Sequence, residues 1–218
     1  MTGILLLSAA GLAAGLFLPE LTEAICSIKF RRKNRELTPD TRFSCWPVRL
    51  LLAILNAAGW GFFMYAAGSA AQICLSCLIW YVSILIGAVD ARVRLVPNEL
   101  LLILAAAGIV QRLVLAGWEG LVSSAIFMVV LMVFFVSAAK LIGGLWCVGA
   151  GDVKLAGALG LVLGYPVILA GVLVMAVSMV LFCGVGLLTK KLSRTAMIPL
   201  APFLSLGMLA GLVWICLS

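Results

Sequence analysis

Only eight acidic residues occur in this 218-residue chain, and two of them, Asp90 and Asp152, stand at the edges of long apolar runs. A carboxylate at the edge of an intramembrane helix is costly to desolvate, which makes it a functional candidate by default. Two carboxylates at matching depth on different helices can meet across a bundle. Close together they cannot easily both ionise, so one holds a proton while the other is free. That state suits hydrolysis of a peptide bond: the carboxylate activates a water and the carboxylic acid polarises the scissile carbonyl. The competing account is that each aspartate caps its own helix and the two never meet.

The neighbours of each aspartate bear on this. Asp152 lies in Gly149-Ala150-Gly151-Asp152-Val153-Lys154-Leu155. Gly149 and Gly151 carry no side chain to block a close approach to the carboxylate. Lys154 either orients a carboxylate or substrate carbonyl, or snorkels to the headgroups. After Asp90 come Arg92, Arg94 and Val96-Pro97-Asn98. Pro97 disfavours helix at Val96, and Asn98 is a good cap for the next helix. On this reading Asp152 opens a helix, where the partial positive charge favours an anion, and Asp90 closes one. The expectation is then that Asp152 is the base and Asp90 holds the proton.

The elements that must position these groups are membrane helices. The chain is 65% hydrophobic and 11% charged, with mean hydropathy +1.28. Its apolar runs are continuous, as helical spans require, and lack the alternation of a β-barrel. The expected fold is an all-α, polytopic transmembrane bundle of about eight spans. These start near residues 1, 50, 72, 100, 121, 153, 167 and 197, with a turn at Gly117-Trp118-Glu119-Gly120. The apolar start has no positive segment before it and reads as a retained first span. Residues 1–49 form that span plus a short basic loop, from about Ser27 to Arg49, and residues 50–218 form the main membrane domain.

Eight crossings place every Lys and Arg except Arg112 on one side, of 15 in all. Positive charge marks the cytoplasmic side, so Asp90 and Asp152 both face the cytoplasm. The net charge of +7 is therefore a topology signal, and nucleic acid is not an expected partner. The basic loop should meet anionic membrane lipids. There is no histidine, which removes Ser-His and Cys-His chemistry. The seven cysteines mostly sit in apolar runs, and Cys74-x-x-Cys77 has no second pair, so packing is expected and no metal site.

Three stretches resemble the type IV prepilin peptidases, membrane aspartic proteases related to archaeal preflagellin peptidases. They are Asp90 with Arg92, Arg94 and Val96-Pro97-Asn98; the G-x-G-D-x-K-L match at Gly149 to Leu155; and Ile198-Pro199-Leu200-Ala201-Pro202-Phe203-Leu204. The resemblance implies an aspartic endopeptidase of the bacterial inner membrane, with Asp90 and Asp152 catalytic and Gly149, Gly151, Lys154, Pro97 and Asn98 in support. Its partners would be prepilin-like proteins with a basic leader and a hydrophobic helix, cut at the cytoplasmic face. No cofactor is implied for proteolysis. S-adenosylmethionine would serve the family's second activity, N-methylation of the new terminus, where this is retained. The family's two C-x-x-C pairs near the front are reduced here to Cys26 and Cys45, so no structural zinc is expected.

Two other functions use the same residues. An ion-coupled transporter would employ Asp90 and Asp152 as a relay, and should show an internal repeat with broken helices, which is not evident. An inactive assembly protein would share the fold without the cleavage.

Overall fold

A computed structural model describes residues 1–32, 45–142, 149–189 and 199–217. Among the described residues every secondary-structure element is an α-helix: α1 Thr2–Leu16, α2 Leu18–Arg32, α3 Trp46–Ala66, α4 Ala70–Val93, α5 Asn98–Ile142, α6 Ala150–Leu163, α7 Val167–Leu188 and α8 Ala201–Leu217. The helical membrane bundle expected from the hydropathy is the observed fold. Four helices (α3, α4, α5 and α7) are long and apolar enough to cross a membrane, and α1 with α2 makes a fifth candidate bent by 40°. The 14-residue α6 and 17-residue α8 are shorter apolar helices.

The 45-residue α5 contains two of the expected spans. Gly117 breaks it with φ 63° and ψ −156°, a conformation open to glycine and strained for other residues. Packing against α6 shows the reversal. Before the break, Gly151 lies against Val96 and Gly108 against Val162, so the two segments run parallel. After it, Gly160 lies against Phe127 and Gly157 against Met132, so the order is inverted. Helix α6 is therefore held by both arms of a hairpin, and the turn expected at Gly117 is where the chain turns.

Small residues set the other close approaches, as is usual where no hydrophobic effect drives helix association in lipid. Gly15 of α1 meets the backbone of Ala53, and Gly171 of α7 meets that of Gly207 in α8. Asn56 adds a buried hydrogen bond of 2.7 Å to the Gly11 carbonyl. Helix α4 is the central element: residues 82–90 are buried without interruption, and its start is capped by the Ser69 hydroxyl, which accepts from the Gln72 amide.

Two local expectations change. The basic segment from Ser27 is not all loop, because α2 continues to Arg32; residues 33–44, with Lys33, Arg35 and Arg42, lie outside the described residues. Span three was expected to run from about Gln72 to Val89 and end on Asp90, but α4 runs on to Val93 and closes at Arg94, which adopts φ 51°. Lys190, Lys191, Arg194 and Ile198 also fall outside the described residues.

Candidate active site

Asp90 sits in the last full turn of α4 and is 4% exposed. Its Oδ2 accepts a hydrogen bond from the Ala201 amide at 3.3 Å. Ala201 is the first residue of α8, so its N–H has no acceptor within that helix. Asp90 thus supplies, from a neighbouring helix, an acceptor that the proline-rich start of α8 leaves open.

Asp152 lies in the first turn of α6 and is not its cap. The cap is Gly149, whose carbonyl accepts from the Asp152 amide at 3.0 Å. The Asp152 carboxyl folds back toward the Gly149 backbone. A Cβ on Gly149 would lie 3.2 Å from Oδ2, so this turn leaves little space for a side chain. The other oxygen, Oδ1, is buried and has no hydrogen-bond partner among the described residues. Asp152 precedes the apolar run that begins at Val153. Burial pushes its carboxyl up from the usual range to about 6, and the charge of Asp90 pushes in the same direction. The two carboxylates are therefore brought within electrostatic reach of each other, which separate helix caps would not require.

The supporting residues form a second layer. A Cβ on Gly151 would lie 2.9 Å from the Val96 Cβ, so this glycine lets α6 seat directly on the loop after α4. Lys154 donates to the Asn98 Oδ1 at 3.1 Å. The lysine is bonded to the start of α5 and not to a carboxylate, because Asn98, which uses its side chain for that bond, is the first residue of α5. Pro97 stands between these two contacts and ends the non-helical stretch. The motifs after Asp90 and around Asp152 are thus one packed unit, joined by Gly151–Val96 and Lys154–Asn98.

Three features were not read from the sequence. One is the Ala201 donor, which the Pro199 to Phe203 stretch signalled only as a helix start. The others are ion pairs from α2: Glu23 to Arg92 Nε at 2.9 Å and Lys29 to Glu99 at 2.5 Å. Glu20 and Glu23 directly after the first apolar run were the available signal. Cys74 and Cys77 lie on α4, exposed and buried respectively, and no cluster of three metal-ligating side chains occurs among the described residues.

A helical membrane bundle that holds one buried carboxyl and a second, half-buried one that feels its charge defines a class in which acid–base chemistry is a natural function. The chain belongs to the type IV leader peptidase family, whose model matches residues 77–216. No curated protein and no solved structure matches it. The match covers α4 from Cys77 onward, both aspartates, and α8 to Cys216; α1, α2 and α3 lie before it. The chain is accordingly a membrane peptidase, and prepilin-like proteins in general are its substrates.

Proposed function

We propose that this peptidase is of the aspartic type and cuts the leader of a prepilin-like protein at the cytoplasmic face of the bacterial inner membrane, with Asp90 and Asp152 as its catalytic residues. The observation that carries the reading is that the half-buried carboxyl of Asp152 on α6 feels the charge of the buried Asp90 on α4 and has one buried oxygen with no hydrogen-bond partner among the described residues.

The roles expected from helix ends are exchanged in this proposal. Asp90 receives the free N–H at the start of α8, the place where a helix favours a negative charge. Asp152 is raised to about 6 and has the oxygen that lacks a donor. Asp90 is then the base and Asp152 the acid. Asp90 takes a proton from water as the oxygen attacks the scissile carbonyl carbon, while Asp152 gives its proton to the carbonyl oxygen. The tetrahedral intermediate collapses as Asp90 returns a proton to the amide nitrogen and the C–N bond breaks. Asp152 recovers its proton from the intermediate's hydroxyl. A basic leader retained inside and an apolar helix in the bilayer would bring the scissile bond to interface depth.

The test uses the purified full chain in lipid with a prepilin-like protein whose short basic leader ends in glycine, read by mass spectrometry. Cleavage at the leader junction that disappears in Asp90→Asn supports the reading. Cleavage that persists in that variant refutes it. The same spectrum shows whether the new terminus carries a methyl group when S-adenosylmethionine is added, which would extend the proposal to the second activity.

A further inference from the structure

The first helices lie outside the family match, yet α2 reaches the stretch that follows Asp90. Leu18, Thr22 and Cys26, spaced four apart on one face of α2, are fully buried. Beside them Ile25, Ile28 and Lys29 face Pro97, Glu99 and Leu100 across a shallow cleft. Two ion pairs fix the arrangement. Glu23 holds Arg92, two residues beyond Asp90, and the Arg92 side chain is only 8% exposed. Lys29 donates to both carboxylate oxygens of Glu99, at 2.7 and 2.5 Å. Glu99 adjoins Asn98, which accepts from Lys154, two residues beyond Asp152. The α4–α5 loop is therefore clasped by α2 on one side and by the start of α6 on the other. A third pair, Glu20 to Arg49 at 2.7 Å, ties α2 to α3 away from that loop.

We infer that α2 is a positioning element for the Asp90–Asp152 pair, acting through Glu23–Arg92 on the end of α4 and through Lys29–Glu99 on the first turn of α5, which follows the loop against which α6 is seated. The inference rests on the aspartic-peptidase reading. Partly exposed ion pairs contribute little to stability, so the role to look for is alignment and not folding. Misplacement of a reacting group by about 1 Å can cost on the order of a hundredfold in rate, which leaves room for a large kinetic effect at small structural cost.

Charge reversal tests it in the full-length protein with the prepilin-like substrate above. Lys29→Glu and Glu99→Lys should each lower kcat about tenfold, with KM within about twofold and unchanged melting temperature. The double reversal should restore kcat to within about threefold of the native protein, and Lys29→Arg should retain it. Glu20→Gln, which loosens α2 only from α3, should leave kcat unchanged. Full activity in the single reversals overturns the inference, as does a loss that the double reversal fails to repair. Equal loss in Glu20→Gln would mean general loosening and would overturn the proposed route. Native protein that cuts no such substrate overturns the peptidase reading and this inference with it.

Discussion

Polar groups are buried at both ends of the α5–α6 unit, and the two ends treat them differently. At one end Asp90 and Asp152 come from separate helices, Asp152 feels the charge of Asp90, and one Asp152 oxygen has no partner among the described residues. At the other, Arg112 of α5 donates through Nε to the Val162 carbonyl at 2.7 Å. This caps the C-terminal end of α6, where a cation is favoured. A Cβ on Gly164 would lie 3.2 Å from the Arg112 Cζ, so the guanidinium is packed against the turn that follows α6. Among the described residues the Arg112 Nη2 and the hydroxyl of Ser124, beside Gly164, have no hydrogen-bond partner. An orphaned buried atom is thus common to both ends. Only the aspartate end also has two titratable groups whose protonation depends on each other, and that combination separates a reacting site from a structural staple.

The largest expected effect is loss of the pair. Asp90→Asn and Asp152→Asn should each lower kcat/KM on a prepilin-like substrate by a factor on the order of a thousand or more, while leaving the protein inserted. The double variant should be little worse than either single one, because groups that act as a unit are not additive. Independent, multiplying losses would show two separate sites.

Protonation comes next. A pair that works with one shared proton loses activity when the last proton leaves, and Asp152 places that limit at about pH 6 in the free enzyme. kcat/KM should fall about tenfold per pH unit above this point, and the limb in kcat should lie higher because a seated substrate excludes water. Stability gives an independent readout. The folded-state value for Asp152 exceeds its ordinary 3.8, so its contribution is full below about pH 4 and is lost as pH rises through about 6. Asp152→Asn should remove that component of the melting curve. A native melting temperature flat from pH 4 to 7, relative to this variant, would contradict the burial argument.

A smaller effect is expected at the seat of α6. Gly151→Ala puts a methyl group 2.9 Å from the Val96 Cβ, closer than such atoms pack. Movement of the α6 start would shift Asp152, and kcat should drop about tenfold with a modest change in melting temperature. Gly157→Ala instead comes within 2.9 Å of the Met132 Cγ, more than a turn beyond Asp152, so the Met132 side chain must shift and the melting temperature should fall modestly while kcat is unchanged. Equal losses of kcat in both would mean that the glycines matter only for general packing.

How much of this was legible depends on the range of the interactions. The helical bundle and the reversal at Gly117 follow from local hydropathy and a glycine-containing turn. Asp90, Asp152 and the loop residues stand out because ionisable groups are rare in apolar sequence. Their partners do not, because each is a tertiary match: Ala201 is 111 residues from Asp90, and Lys29 is 70 residues from Glu99. The helix-end argument was drawn from local sequence alone. It considered only the helix that carries each aspartate, whereas the donor to Asp90 comes from α8.

The smallest expected change in activity is at the outer end, and it gives the sharpest test of the contrast between the ends. Arg112 is 7% exposed, and its hydrogen bond to Val162 joins the first arm of α5 to the end of α6. Arg112→Ala strands that carbonyl and leaves a void against Gly164. A lost buried hydrogen bond with an unsatisfied partner costs about 1–3 kcal/mol, and removal of an unpaired buried charge offsets part of it. Helix α6 is also held along its length by the second arm of α5, through Gly160 against Phe127 and Gly157 against Met132. Loosening should therefore stay near Gly164 and not reach Asp152 at the far end of the 14-residue helix. The melting temperature should fall while kcat per folded molecule stays within about twofold. A large loss of kcat in protein that remains folded would show that α6 transmits displacement along its axis, and that the outer end belongs to the site after all.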